Sequence, residues 1–321
     1  MASTGTNGAR YNPKPAAARL REMLARPDSL VACPGVYDGL SARIMLREGF
    51  DCLYMALRKT GAGTAASKLG MPDLGIITLN DILENASMIA SLDRTVPVIA
   101  DADTGYGGPI MVARTVKSYI QAGVAGLHIE DQVQSKRCGH LAGKELVDPE
   151  TYYARIRAAV LGREEMRSTT GGDIVIIART DSLQSLGYEE ALLRLKKCIE
   201  IGADVAFLEG PTSLEQMKQA CQELAPAPVL LNAVPGGVTP HVSQEEAKKL
   251  GYKIMIYPAI SFEAAYQAIW DSAKELKQTK DIIITERQKK EGVKAVFGVC
   301  GLMDCVEFDK KAGGQSYNKG V

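Results

Sequence analysis

From about residue 30 to residue 275 the chain alternates between two hydrophobic rhythms. Short apolar, β-branched runs occur at Ser29–Cys33, Cys52–Met55, Val96–Ala100, Gly126–Ile129, Ile174–Ala178, Val205–Leu208, Val229–Leu231 and Lys253–Tyr257, and each reads as a buried strand. Longer stretches between them repeat at helical spacing. Met111–Ala122 places Val112, Val116, Tyr119 and Ile120 on one face, and Glu189–Ile201 does the same with Leu192, Leu195, Cys198 and Ile199. Gly49, Gly123, Gly202 and Gly251 each stand just past a helical stretch and just before a strand, where helices end on a glycine. Ahead of the first strand, Ala16–Arg26 predicts a helix with Leu20, Met23 and Leu24 on its apolar side.

Strict strand–helix alternation implies a parallel sheet with helical crossovers. Eight units in ~250 residues match a closed α/β barrel of the (β/α)8 TIM type. An open doubly wound sheet is the runner-up; it predicts a glycine-rich phosphate loop near the first strand, and no GxGxxG occurs. The expected organisation is a catalytic barrel over 1–275, including the N-terminal helix, followed by a C-terminal extension over 276–321. That extension reads as helical, with Ile282–Ile284 leading into the charged segment Glu286–Glu291, and it has no strand of its own to cover. It is therefore expected to pack on a partner subunit, and the last residues, Gly313–Val321, to fray.

Composition narrows the class. The 321 residues are 46% hydrophobic and 24% charged, as in a soluble globular protein with a sizeable core. The 38 basic and 38 acidic side chains cancel, so no nucleic-acid surface is expected. No apolar run reaches the ~18 residues of a membrane span, and no secretory signal is visible at the start. The seven cysteines form no CxxC pair, which suits reduced thiols in a cytoplasmic protein better than a disulfide scaffold or a structural zinc. Arginines near the start faintly resemble a mitochondrial leader, but the helix at Ala16–Arg26 accounts for them equally well.

In a barrel the C-terminal strand ends build the site. Here they carry Asp101 and Asp103, His128 and Glu130, Arg179 and Asp181, Glu209, and Asn232. Residues two apart on a strand share a face, so each of the three pairs is expected to point one way. Two adjacent carboxylates are either solvated at a turn or gathered around a cation. Their hard oxygens suit Mg²⁺ or Mn²⁺. One charged strand end would mean little, but five in succession after apolar runs point to a functional rim. Beyond Glu130 the loop reads Lys136-Arg137-Cys138-Gly139-His140. The basic neighbours raise the thiolate fraction of Cys138, and the loop reads as a lid or, failing that, as a solvated basic turn.

Together, Asp-Ala-Asp-Thr-Gly-Tyr-Gly-Gly (101–108), His-Ile-Glu-Asp-Gln (128–132), Lys-Arg-Cys-Gly-His (136–140), Pro72-Asp73-Leu74-Gly75 and Ala178-Arg179-Thr180-Asp181 resemble the isocitrate lyase/phosphoenolpyruvate mutase superfamily over roughly residues 15–310. The nearest branch is the 2,3-dimethylmalate lyase, oxaloacetate hydrolase and 2-methylisocitrate lyase group, which the run Thr60–Ser67 resembles in particular. The resemblance implies a (β/α)8 barrel whose terminal helix is exchanged between subunits of a homotetramer. It implies Mg²⁺ or Mn²⁺ near Asp101 and Asp103, with Asp73 and Glu130 around it, partly through water. Arg179 is implied as a clamp for a substrate carboxylate, with Glu209 and Asn232 lining the pocket. The backbone of Thr60, Gly61 and Ala62 is implied to hold a second carboxylate, and Lys136, Arg137, Gly139 and His140 to border the substrate. Cys138 is implied as the general acid or base, and Tyr54 as a hydroxyl near the substrate's 2-oxygen.

The expected activity is carbon–carbon lysis of a small 2-hydroxy dicarboxylate to a 2-oxo acid and a carboxylic acid. Such a cleavage needs an acidified C2 hydroxyl, donors for the charge on the departing fragment, and an acid to protonate C3. Three departures bear on the substrate. Ala56-Leu57-Arg58-Lys59 inserts about four residues between Tyr54-Met55 and Thr60-Gly61. Pro258 stands where oxaloacetate hydrolases tend to carry a serine, and apolar Val234 stands where methylisocitrate lyases tend to have a hydroxyl. The proline favours a lyase, and the valine favours a smaller alkylated malate over a tricarboxylate. Oxaloacetate hydrolysis to oxalate and acetate, and a catalytically silent binding or scaffold role prompted by the insertion, stand as alternatives.

Overall fold

The computed structural model of the chain describes residues 14–55, 62–137 and 143–317. Eight parallel strands, β1 (Val31–Val36), β2 (Leu53–Met55), β3 (Val98–Asp101), β4 (Gly126–Glu130), β5 (Val175–Thr180), β6 (Val205–Leu208), β7 (Val229–Asn232) and β8 (Ile254–Tyr257), close into a barrel in sequence order, β8 pairing back with β1. All eight expected strands are present. Five of them, β1, β3, β4, β5 and β7, run one to three residues further toward their C-terminal ends than hydrophobicity alone indicates. The ladder is made by backbone groups, so a polar side chain such as Glu130 or Asn232 leaves the pairing intact. β1 continues through Pro34 because its pairing with β2 begins only at Gly35.

The two faces of each strand serve two cores. Outward residues such as Leu127, Ile129, Ile176 and Ala178 pack with the surrounding helices. Inward residues, including Val31, Cys33, Ile99, Ile177, Val205, Phe207, Leu230, Ile254 and Ile256, fill the barrel itself. Leu20 and Met23, from the helix Ala16–Ala25, join this inner cluster next to Val175 and plug the end opposite the strand termini. The barrel is thus solid below its upper rim, and only that rim is left for polar chemistry. The expected glycine caps have left-handed backbones, with φ 82° at Gly49, 85° at Gly123, 120° at Gly202 and 109° at Gly251.

Beyond β8, the helices Ile260–Thr279, Glu286–Val299 and Leu302–Lys311 expose Tyr266, Ile269, Trp270, Phe297 and Phe308, and the connection between the first two exposes Ile282. None of the described helices is long and apolar enough to cross a membrane.

Candidate active site

The inward-facing polar residues sit above the apolar plug. Barrel shear staggers neighbouring strands, so Asp101 pairs with His128, and Glu130 with Arg179, across adjacent ladders. On β2, Tyr54 shares a hydrogen bond of 2.8 Å with His128 Nε2. His128 Nδ1 lies 3.5 Å from Asp101 Oδ1. That same oxygen accepts the Asp103 N–H at 2.8 Å, and the Asp101 carbonyl accepts the Tyr119 hydroxyl, also at 2.8 Å.

Strand alternation is not what brings Asp103 alongside Asp101. β3 ends at Asp101, and Asp103 lies at φ 49° in the left-handed region. The Asp103 N–H bond back to the Asp101 carboxylate stabilises this turn, a local pairing that Asp makes more readily than most residues. Asp103 then faces Lys136, whose ammonium also lies 2.9 Å from Asp73 Oδ1. Asp73 arrives on the loop after the helix Ala62–Leu69. Gly75 lets that loop approach closely, because a Cβ there would fall 2.5 Å from the Gln134 carbonyl. Lys136 is 1% exposed, so its charge is spent inside this acidic cluster.

Burial pushes the Asp103 carboxyl up to about 7. The Lys136 ammonium opposes the shift, and the charges of Asp101 and Asp73 add to it. With all three carboxylates ionised, the single Lys136 ammonium leaves this cluster net negative, which suits a further cation. Among the described residues no three His, Cys, Asp or Glu side chains form a ready-made metal cage. A hard cation that keeps several waters and takes only one or two carboxylates fits this donor set better than a cage-bound ion does.

The opposite side of the rim is built around Arg179, which is 2% exposed. Its Nε and Nη2 donate to the two Asp181 oxygens at 2.9 and 3.1 Å. Nη2 lies 2.9 Å from Glu209 Oε2, and Nε lies 3.4 Å from Glu130 Oε2. The guanidinium carbon sits 4.8 Å from the Phe207 ring centroid, a cation–π contact. Burial alone would lower the Arg179 pKa; the carboxylates of Asp181, Glu209 and Glu130 hold it well above the ordinary value instead. Asn232 Nδ2 donates to Glu209 Oε2 at 3.2 Å. Beneath Asp181, the fully buried Asp131 accepts the Asp181 N–H at 2.8 Å and a 3.1 Å bond from Arg194.

The structure thus brings Asp73, Asp101, Asp103 and Lys136 together, and gathers Arg179, Glu130, Glu209 and Asn232 beside them on the same rim. Arg137 is exposed, and its backbone N–H donates to Gln132 Oε1 at 3.0 Å. Ala62 opens the helix Ala62–Leu69. Thr60, Gly61, Cys138, Gly139 and His140 lie outside the described residues, as does the Ala56–Lys59 insertion. Lys144 and Asp131 were missed by sequence reasoning. A lysine in a loop and an acid after a strand look solvated in one dimension, and only their burial marks them.

A closed parallel barrel with an apolar plug, an acidic cluster and a buried arginine at its C-terminal mouth defines a barrel enzyme with its site at the strand ends. The profile of the phosphoenolpyruvate phosphomutase family matches residues 20–277. The chain belongs to that family and is an enzyme of the isocitrate lyase/phosphoenolpyruvate mutase superfamily. It is 42% identical over 261 residues to 2,3-dimethylmalate lyase of Eubacterium barkeri, covering 81% of this chain and 86% of that one. Among solved structures, a 2,3-dimethylmalate lyase superposes with a TM-score of 0.89 at 52% identity, covering 95% of this chain and 98% of the other. An oxaloacetate acetylhydrolase in complex with 3,3-difluorooxalacetate superposes with a TM-score of 0.88 at 49% identity, covering 95% and 99%.

Proposed function

We propose that the protein is a Mg²⁺-dependent carbon–carbon lyase of a small 2-hydroxy dicarboxylate, with 2,3-dimethylmalate as the favoured substrate and pyruvate and propionate as products. The observation that carries this reading is the pairing of an acidic, cation-hungry cluster with the Arg179 guanidinium on one barrel rim, in a chain similar to 2,3-dimethylmalate lyase. Asp101 and Asp103 would hold the cation, with Asp73 and Glu130 reaching it through water. Mn²⁺ would serve the same donors. When bound, the cation lowers the pKa of the substrate's 2-hydroxyl.

The protein's own groups do the rest. Arg179 takes the substrate carboxylate in a charge-assisted fork, and Glu209 and Asn232 fix its neighbours. The Thr60–Ala62 amides receive the second carboxylate, with Arg137, Gly139 and His140 bordering the substrate; Lys136, expected beside them, is held in the acidic cluster by Asp73 and Asp103 instead. Tyr54, hydrogen-bonded to His128 Nε2, faces the 2-oxygen and takes up the hydroxyl proton as its own proton passes to His128. As the C2–C3 bond breaks, its electron pair goes to C3, and Cys138 delivers a proton there.

We further propose that the exposed apolar face of the C-terminal helices packs on neighbouring subunits of a homotetramer, which would cover Trp270, Phe297 and Phe308. Oxaloacetate hydrolysis is the second reading, supported by the likeness to oxaloacetate acetylhydrolase and opposed by Pro258 where the hydrolases tend to carry serine. One assay separates them: a panel of 2-alkylmalates, methylisocitrate and oxaloacetate with Mg²⁺, reading 2-oxo acid and oxalate together. Pyruvate from dimethylmalate supports the lyase, and oxalate from oxaloacetate supports the hydrolase. Turnover of nothing on the panel, with Mg²⁺ bound, leaves the silent binding role.

A further inference from the structure

Arg179 stands among more negative charge than it can balance. Asp181 grips it bidentately, and Glu209 and Glu130 lie within salt-bridge distance of the same guanidinium. One cation facing three carboxylates makes a poor receptor for a dianionic substrate. A second cation reaches the same carboxylate: Lys144 Nζ lies 3.3 Å from Asp181 Oδ1, the oxygen that also accepts from Arg179 Nη2. The Lys144 side chain is 3% exposed. It is carried on the segment that follows the Lys-Arg-Cys-Gly-His loop, and it shares with Glu209 the wall of a cavity of about 330 Å³ also lined by Leu183, Tyr188, Thr212 and Val238.

We propose that Lys144 is a positioning residue for substrate binding. By sharing the Asp181 carboxylate, its ammonium offsets that negative charge, keeps it from monopolising Arg179 and leaves the guanidinium's field available to the substrate's carboxylate. Lys144 touches neither substrate nor cation in this scheme; it acts through Asp181. A buried lysine ammonium ordinarily needs a partner to stay charged, and Asp181 supplies one. Asp181 in turn is held from beneath by its own N–H bond to Asp131, so it cannot easily follow Lys144 away from Arg179. This inference rests on the proposed role of Arg179 as the carboxylate clamp.

The test uses the full-length protein with Mg²⁺ and oxalate as the dianion probe, followed by calorimetry. Lys144→Met keeps the apolar stem and removes the charge. It is expected to weaken oxalate binding ~10–100-fold, the size of a lost interaction with a charged group. In the lyase assay it is expected to raise KM by a similar factor while changing kcat far less. Lys144→Arg should restore most of the affinity. Lys144→Ala should be partly rescued by ethylammonium, which the adjoining cavity has room to admit. In an Asp181→Asn background the Lys144→Met change should have little further effect, because the charge it answers is gone. A purely structural lysine would give neither amine rescue nor this loss of effect. Wild-type binding with an unchanged Lys144→Met variant, or an undiminished Lys144→Met effect in the Asp181→Asn background, overturns the inference alone. Failure of the wild-type protein to bind oxalate with Mg²⁺ present overturns the Arg179 clamp, and this inference with it.

Discussion

The raised Asp103 pKa makes cation binding a pH-dependent event that can be measured without any substrate. The metal-free fold holds this carboxyl at about 7 against an ordinary 3.8. Between those values the native protein keeps a proton that the unfolded chain releases, so metal-free stability falls as pH rises from about 4 to about 7 and is level above. The separation of roughly three pH units corresponds to at most ~4 kcal/mol, because one unit is ~1.4 kcal/mol. A cation that binds the ionised carboxylate must displace that proton. Mg²⁺ affinity should therefore rise ~10-fold per pH unit up to about 7 and then plateau. The assay is thermal unfolding at a fixed Mg²⁺ concentration across about pH 5 to about pH 8.5. Near pH 8, Mg²⁺ at ~100 times its Kd should raise Tm by roughly 4 °C, and near pH 5.5 the rise should shrink to about a third of that. Asp103→Asn, which cannot ionise, should lose both the Mg²⁺ response and the pH dependence, and should be the more stable protein above pH 7 without metal. A Tm rise of equal size at pH 5.5 and pH 8, or one that survives in Asp103→Asn, refutes the reasoning.

Three further outcomes follow, two from particular contacts and one from the proposed proton step. Asp131→Ala leaves the buried Asp181 N–H and Thr180 hydroxyl without their acceptor and takes one of two carboxylates from Arg194, which keeps Glu190, and should cost ~1–3 kcal/mol in urea unfolding; a loss below ~0.5 kcal/mol would mean the network is dispensable. Gly35→Ala places a methyl 2.3 Å from the Pro258 carbonyl where β1 passes the end of β8; it should destabilise by ~1–3 kcal/mol and raise KM through the disturbed rim, and wild-type stability would show the backbones can part. Cys138→Ser should leave oxalate binding intact and lower kcat by ~10²-fold or more; unchanged turnover removes the thiol from the proton step.

Much of this protein was written locally along the chain. The apolar runs and helical repeats determined eight strands, their order and the barrel, because burial on both faces of a strand leaves a mark in consecutive residues. Strand periodicity also announced which polar residues would share the rim, as with His128 and Glu130 or the Glu209 and Asn232 ends. Tertiary structure alone decided how those residues meet. Asp73 and Lys136 converge because two loops cross at Gly75, and Asp103 turns inward through a left-handed residue that no alternation rule foresees. Lys144 reaches Asp181 across 37 positions of chain. Such partners are set by barrel closure and shear, which act between segments, whereas hydrophobic rhythm reports only on the element that carries it.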